Sequence, residues 1–295
     1  MTGVQTCALP ISLGVNTSGG YNSAVGEGAL QANTTGSNNT ALGESALASN
    51  TTASYNNSLG YQALYSNTTG AYNTAIGSYA LAANTTQYYN TAVGHQAGYS
   101  NTTGGVTAVG TQVLYANTTG TNNVGMGGSD GNGAAPALRY NTTGSYNTAI
   151  GSAALASNTT AGYNTAVGSQ ALYSANRTSD ANGYNTALGY QAGYSMTTGQ
   201  GNQFIGQRSG FSVTTGTNNQ FFGETSGYYV TTGSKNAILG GYNGNQGGLD
   251  IRTASNNIVL SDGDGNPRFY SNALTDYLLN VPSGTTTIEI GRAHV

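Results

Sequence analysis

The chain has 295 residues, of which 46 are glycine and only 17 are charged, 7 Lys or Arg against 10 Asp or Glu. Charged residues at 6%, against about 25% in an ordinary soluble domain, argue against an enzyme of conventional make-up. A net charge of −3 removes the electrostatic basis for binding nucleic acid or a membrane surface, and no 18-residue apolar run reads as a transmembrane helix.

The two ends stand apart from everything between them. Residues 1–12 share no pattern with the rest of the chain and resemble the conceptual translation of a sequencing-library adapter read from a GTG start; residues 289–295 resemble the other adapter. Both are read as assembly artefacts and set aside, so the true termini are expected to lie outside this sequence. Cys7 and His294 go with them, which leaves the remainder without a thiol, a disulfide or a cysteine-based metal site. No cofactor is expected.

From residue 13 to 240 a repeat governs the chain. Glycines close a recurring Asn-Thr-Ala-Val-Gly unit at Gly26, Gly43, Gly60, Gly77, Gly94, Gly110, Gly127, Gly151, Gly168, Gly189, Gly206, Gly223 and Gly240, and nine of the twelve steps are 17 residues. The exceptions are 16 residues at Gly110, 24 at Gly151 and 21 at Gly189. Strand runs of three to five residues separated by turns predict an all-β fold, a β-solenoid or β-roll of about thirteen coils.

Each position of the unit has a physical reading. Four residues before the anchor glycine stands Asn, as at Asn22, Asn39, Asn56, Asn73, Asn90, Asn147, Asn164 and Asn185. Stacked one per coil, these amides are expected to form a structural ladder. One residue before the anchor is a larger aliphatic (Val25, Leu42, Leu59, Ile76, Val93, Val109, Ile150, Val167, Leu188), expected to be the core stack. Three residues after it comes a small one, Ala29, Ala46, Ala63 and their successors. The Asn-Thr-Thr-Gly segments read as turns. Their Asn-x-Thr sequons (Asn33, Asn50, Asn67, Asn84, Asn101, Asn117, Asn141, Asn158) follow from that geometry and say little about compartment.

Two insertions interrupt the period, near 129–139 and 175–183. They carry Asp130, Arg139, Arg177 and Asp180, candidate receptor contacts because loops on a rigid scaffold are where partners bind. From residue 202 Phe204, Phe221 and Ile238 replace the Ala two residues before the anchor, which predicts a wider cross-section. Residues 241–288 are irregular: Ile258–Ser261 reads as one more strand, with Arg268–Tyr270 returning as its hairpin partner and a further module expected beyond. Asp262-Gly-Asp264-Gly-Asn266 resembles the start of a calcium loop, but Pro267 stands where such a loop needs Gly and Ala273 where it needs Glu, so a hairpin turn is the expected structure.

Residues with catalytic potential are few. His95 has no carboxylate within one coil and is expected to be exposed or part of a ladder. Glu27 and Glu44 repeat one coil apart and read as a solvated pair. Two sets stand out among the 22 tyrosines. One precedes the Asn ladder (Tyr21, Tyr55, Tyr72, Tyr89, Tyr146, Tyr163, Tyr184), and the other follows the anchor by five, with Tyr65, Tyr99, Tyr115, Tyr173 and Tyr194 as candidate glycan contacts because a tyrosine offers an apolar face and a polar tip.

A single coil buries little apolar surface relative to its backbone ordering cost, so several chains are expected to share a core, most naturally three. Units such as Asn73-Thr-Ala-Ile-Gly77 and Gly60-Tyr-Gln-Ala-Leu-Tyr-Ser-Asn-Thr-Thr-Gly70 resemble the shaft repeats of phage tail-fibre proteins, and more distantly the left-handed β-roll head of trimeric autotransporter adhesins, whose coil is shorter. The resemblance covers roughly residues 13–261. It implies a homotrimeric, non-enzymatic attachment fibre, virion-borne or extracellular, with a host-surface glycan or protein as partner. An endosialidase-type chaperone often follows such shafts, and nothing in this sequence matches it. A bacterial autotransporter-type adhesin is the nearest alternative. An ice-binding solenoid, using Thr34, Thr51, Thr68, Thr85, Thr102 and Thr118 as a lattice-matching face, is a third.

Overall fold

The computed structural model describes residues 13–129, 133–176, 182–272 and 277–279. Among them there is no helix, and the chain winds as a β-solenoid of about 14 turns. It divides into two units between Thr160 and Ala161.

The first unit holds strands β1 (Ser23–Val25), β2 (Thr40–Leu42), β3 (Asn57–Leu59), β4 (Thr74–Ile76), β5 (Thr91–Val93), β6 (Val106–Val109), β7 (Asn123–Met126) and β8 (Thr148–Ile150). Each pairs in parallel with the next, with Ser23 opposite Thr40, Thr40 opposite Asn57 and Asn57 opposite Thr74, so the paired strands lie 17 residues apart in sequence. The register absorbs the irregular steps: Thr91 meets Thr107 and Val124 meets Thr148, with the shortened or lengthened chain accommodated outside the sheet.

The core differs from the sequence expectation. In a three-residue strand the outer positions face one way and the middle one the other. Ala24, Ala75 and Ala92, in the middle, are fully buried, while Leu42, Leu59 and Ile76, expected to be the core stack, are 44%, 43% and 39% exposed. The interior is narrow, because Leu30, Leu47, Leu64 and Leu81 enter it from the opposite wall at 0% exposure. Across from them stand small side chains, alanine in most coils and Ser58 in β3. The aliphatics are turned outward, onto the sheet face that they share with the Thr column of Thr40, Thr74 and Thr91.

Two buried amide ladders line the rest of the interior. The backbone N–H of Asn39 donates to the Asn22 Oδ1 at 2.9 Å, Asn56 to Asn39 at 3.0 Å and Asn73 to Asn56 at 2.9 Å. The Nδ2 of Asn22, Asn39 and Asn56 donates in turn to the carbonyls of Gly36, Ala53 and Gly70, tying strand to turn. Asn90 and Asn147 are buried in the same column. The second ladder comes from the turn asparagines: Asn50 Nδ2 donates to Asn33 Oδ1 at 2.8 Å and Asn84 to Asn67 at 2.8 Å. These sequon asparagines are 0% exposed, so the folded chain offers none of Asn33, Asn50, Asn67 or Asn84 to a glycan. Orphaning one buried amide in such a network costs about 1–3 kcal/mol, which makes the ladders specify register as well as hold it.

The second unit holds β9 (Thr165–Val167), β10 (Thr186–Leu188), β11 (Gln203–Ile205), β12 (Gln220–Phe222) and β13 (Ala237–Leu239), then β14 (Asn245–Gln246), β15 (Leu249–Asp250), β16 (Asn257–Ser261), β17 (Pro267–Asn272) and β18 (Tyr277–Leu279). Asn164 and Asn185 are buried in its ladder, with the Asn185 N–H on Asn164 Oδ1 at 3.2 Å. The wider cross-section expected from the phenylalanines is not needed. Ala187 pairs with Phe204 in unbroken register, and the rings take space that glycine leaves: Gly193, Gly210 and Gly227 stand where other coils place the buried Leu, and a Cβ on Gly210 would lie 2.5 Å from the Phe204 ring. Met196, Val213 and Val230, all buried, replace the turn asparagines beside them.

Residues 241–252, which break the period, form the small antiparallel pair β14–β15. Tyr242 is fully buried above it and donates its hydroxyl to the Leu249 carbonyl at 2.8 Å; burial pushes its phenol well above the ordinary value. Strand β16 then rejoins the sheet in parallel with β13 and turns back antiparallel onto β17, the expected hairpin.

Asp262 closes that hairpin. Its carboxylate accepts the Asn266 backbone N–H at 2.8 Å and the Arg268 Nε at 3.0 Å. The Asn266 N–H, with its side chain and Arg268, holds the Asp262 carboxyl below the usual carboxylate range. A lowered folded-state value means that the turn gains stability above the unfolded value of about 3.9 and loses it as pH falls through the folded one. The Asn266 amide resonance should therefore titrate with a midpoint below about 3.9, and the midpoint should rise in Arg268→Ala. A midpoint at or above the unfolded value would show that Asp262 does not anchor the turn.

Candidate functional site

The outer surface of the coils, with the shallow depressions in it, carries the candidate features. The outward positions of the parallel strands make two adjacent columns on the outer sheet face. In the first unit the aliphatic column contains Val25, Leu42, Leu59, Ile76, Val93, Val109, Met126 and Ile150, and Leu42, Leu59, Ile76, Met126 and Ile150 are exposed. In the second unit it contains Val167, Leu188, Ile205, Phe222, Leu239 and Leu260, of which Leu188, Leu239 and Leu260 are 49%, 57% and 43% exposed. Near the end of the second column, Phe222, Leu239, Ile258 and Leu260 border an almost wholly apolar depression of about 200 Å³. Monomeric proteins seldom leave so long an apolar row open to water, and such rows mark interaction surfaces. Sequence reasoning placed Val25, Leu42, Leu59, Ile76, Val93, Val109, Ile150, Val167 and Leu188 in the core, and the alternation that could have turned them outward was already present in the Thr-Ala-Val triplet.

The tyrosines form stacked ladders on the corners of the coils. Tyr21, Tyr55, Tyr72 and Tyr89 all have φ near 60°, where the chain turns into the strand, and Asn38 and Asn122 occupy the same corner in their coils. Tyr55 stacks on Tyr72 with centroids 5.0 Å apart and Tyr72 on Tyr89 at 5.3 Å. In the second unit Tyr163 stacks on Tyr184 at 5.2 Å.

The candidate glycan contacts fall on the other corner. Tyr65 is 41% exposed. Tyr99 and Tyr115 stack face to face at 5.2 Å, and Tyr173, Tyr194, Phe211 and Tyr228 form a continuous pile at 5.1, 5.1 and 4.9 Å. Both faces of Tyr194 are thereby covered by protein, leaving its edge to solvent. Parallel stacking at this spacing stabilises the coils and, at Tyr194, uses up both ring faces that a sugar would need.

Arg139 lies over the Tyr115 ring at 5.4 Å and the Tyr140 ring at 5.7 Å and also contacts the Gln112 side chain, so its charge is engaged within the first unit. With Pro136 and Tyr140 it lines a recess of about 260 Å³. Asp130, Arg177 and Asp180 lie outside the described residues. His95, Glu27 and Glu44 are exposed. Among the described residues no three His, Cys, Asp or Glu side chains lie together as a metal site would require. No family model, curated protein or solved structure matches this chain.

Proposed function

We propose that the chain is the shaft of a homotrimeric attachment fibre of the phage tail-fibre kind, which performs no reaction and presents its outer surface to a host glycan or protein. The observation that carries the reading is the outward aliphatic column. A solenoid that closed its whole core within one chain would gain nothing by setting Leu42, Leu59 and Ile76 in water while burying Ala41 and Ala75. Leu188 and Leu239 beside buried Ala187 and Ile238 repeat the arrangement in the second unit. The arrangement makes sense when the sheet faces of several parallel copies meet around a common axis. A cyclic assembly of three keeps every copy pointing the same way, as a fibre with a fixed end and a binding end needs.

Light scattering coupled to size exclusion tests the reading on the full chain. A mass three times that of the chain is expected, together with adhesion of the assembly to bacterial cells. A folded monomer would overturn it. If that monomer also gave thermal hysteresis, the outward Thr and aliphatic columns would instead be an ice-binding face. A trimer would leave the autotransporter-type adhesin as the alternative, since its shaft physics is the same and its anchor differs.

A further inference from the structure

We infer that the one shortened coil of the first unit creates a binding pit for a single neutral pyranose sugar, floored by Gly105 and walled by the face of Tyr89. This rests on the attachment reading and names a substrate class and a place for it.

The step from Gly94 to Gly110 is 16 residues rather than 17, and the missing residue comes from the corner that carries the ring ladder. Counted from the following anchor, Gly105 holds the register position of Tyr55, Tyr72 and Tyr89 but without their positive φ, and Val106 takes the place of the ladder Asn, its N–H still donating to Asn90 Oδ1 at 2.8 Å. The ring stack therefore stops at Tyr89. One face of Tyr89 is covered by Tyr72, and its exposure rises to 75%, against 48% for Tyr55 and Tyr72. Beyond the Gly105 coil the corner resumes with Asn122, so the gap from Tyr89 to Asn122 spans two strand spacings, about 9.6 Å. That leaves room for one six-membered ring in the slot of the absent tyrosine.

The result is a pit of about 350 Å³ bordered by Gln87, Tyr88, Tyr89, Gly105, Thr107 and Asn122. Its size is at the lower end of small-ligand pockets. Its chemistry is that of a sugar site. The C–H bonds on the apolar face of a pyranose carry slight positive charge and favour the negative face of a tyrosine ring. Around that face are amide, hydroxyl and main-chain groups suited to sugar hydroxyls. In neighbouring coils the corner N–H donates to the preceding coil, as Tyr72 does to the Ser54 carbonyl at 3.2 Å and Tyr89 to Ala71 at 3.2 Å. Among the described residues no such bond reaches the N–H of Gly105 or Asn122, which leaves two main-chain donors without a backbone acceptor in residues that border the pit. None of the lining residues is charged, so a neutral hexose or N-acetylhexosamine fits and an acidic sugar would find no cation.

Saturation-transfer NMR and calorimetry on the full chain test this, using methyl β-glucopyranoside, methyl β-galactopyranoside and N-acetylglucosamine, with N-acetylneuraminic acid as the charged control. At least one neutral sugar should bind and the acidic one should not. Tyr89→Ala should weaken binding tenfold or more. Gly105→Tyr, which restores the missing ring, should abolish it: a Cβ there meets nothing closer than Gln87 Nε2 at 3.7 Å. Tyr89→Leu serves if Gly105→Tyr does not fold, and Tyr194→Ala, in a ladder whose faces are already covered, should leave affinity unchanged. Binding to none of the neutral sugars, or binding undiminished in both pit variants, would overturn the proposal. So would a change in oligomeric mass in the Tyr89 variants, since the pit would then be part of an interface between copies. If the sugars fail while the full chain still adheres to cells, the pit reading falls alone; if adhesion fails as well, the attachment reading falls with it.

Discussion

Gly77→Val should lower stability by roughly 3 kcal/mol or more, a fall in Tm on the order of 5–10 °C in thermal unfolding followed by circular dichroism. Gly77 has φ +131°, in a region that β-branched residues essentially do not enter, and a Cβ built on it would lie 2.5 Å from the Gly94 carbonyl oxygen of the next coil. The obstacle is backbone and cannot turn away. Both costs act together, the conformational strain and the forced separation of adjacent coils whose amide ladders run alongside. Gly60, Gly94 and Gly110 occupy the same stacked column with φ between +124° and +136°, so the effect should recur at each. Gly105→Ala is the control, because Gly105 lies outside the left-handed region and its added Cβ would meet only ordinary contacts; it should leave Tm nearly unchanged. Equal effects at Gly77 and Gly105 would mean that the close stacking of the anchor column does not limit the fold.

The period carried most of the architecture. Anchor glycines at a 17-residue spacing imply stacked coils, and the parallel pairing of Ser23 with Thr40 and Thr40 with Asn57 follows that spacing. The hairpin at Ile258–Tyr270 was readable because two apolar runs flank a Gly-rich turn. What the period could not decide was which face of a three-residue strand looks inward. Alternation separates Ala75 from Thr74 and Ile76, but inside and outside are equivalent until the opposite wall is known. Size then misled, since a larger aliphatic is ordinarily the buried one. The opposite wall was present in sequence as Leu64 and Leu81, four residues after their anchors, and the exchange of that Leu for Gly210 and Gly227 beside Phe204 and Phe221 was the available signal that the two positions share one volume. The turn asparagines were similarly legible as turns and not as a second buried ladder, because Asn33 and Asn50 satisfy turn geometry and interior hydrogen bonding at once. The pit at Gly105 depends on a missing residue, and a one-residue deletion shows its consequence only when the neighbouring coils are stacked on either side of it.

If the chain assembles as proposed, replacing Leu59 and Ile76 together by Asp should convert the trimer to folded monomers. Both side chains lie on the outer sheet face, 43% and 39% exposed, while the middle residues of the same strands, Ser58 and Ala75, are buried and untouched by the change. The coil interior, the amide ladders and the anchor glycines stay intact, so the far-ultraviolet spectrum of the variant should match that of the parent. The loss falls on the contact between copies. In the proposed trimer six aliphatic side chains, with 43% or 39% of their surface left to bury, would forfeit about 0.6–1.2 kcal/mol each, roughly 4–7 kcal/mol in all, and six carboxylates would be brought to the contact with no cation to meet them. At about 1.4 kcal/mol for each tenfold in affinity, the apolar loss weakens a nanomolar association about a thousandfold or more, and with the desolvated carboxylates that is enough to dissociate the complex at micromolar concentration. Light scattering should then give the mass of one chain. Should the variant keep the full mass with an unchanged spectrum, the aliphatic column is not where the copies meet. Should it instead unfold, the single coil depends on its neighbours for stability, and the milder Leu59→Ser with Ile76→Thr would separate the two effects by lowering the mass at low concentration alone.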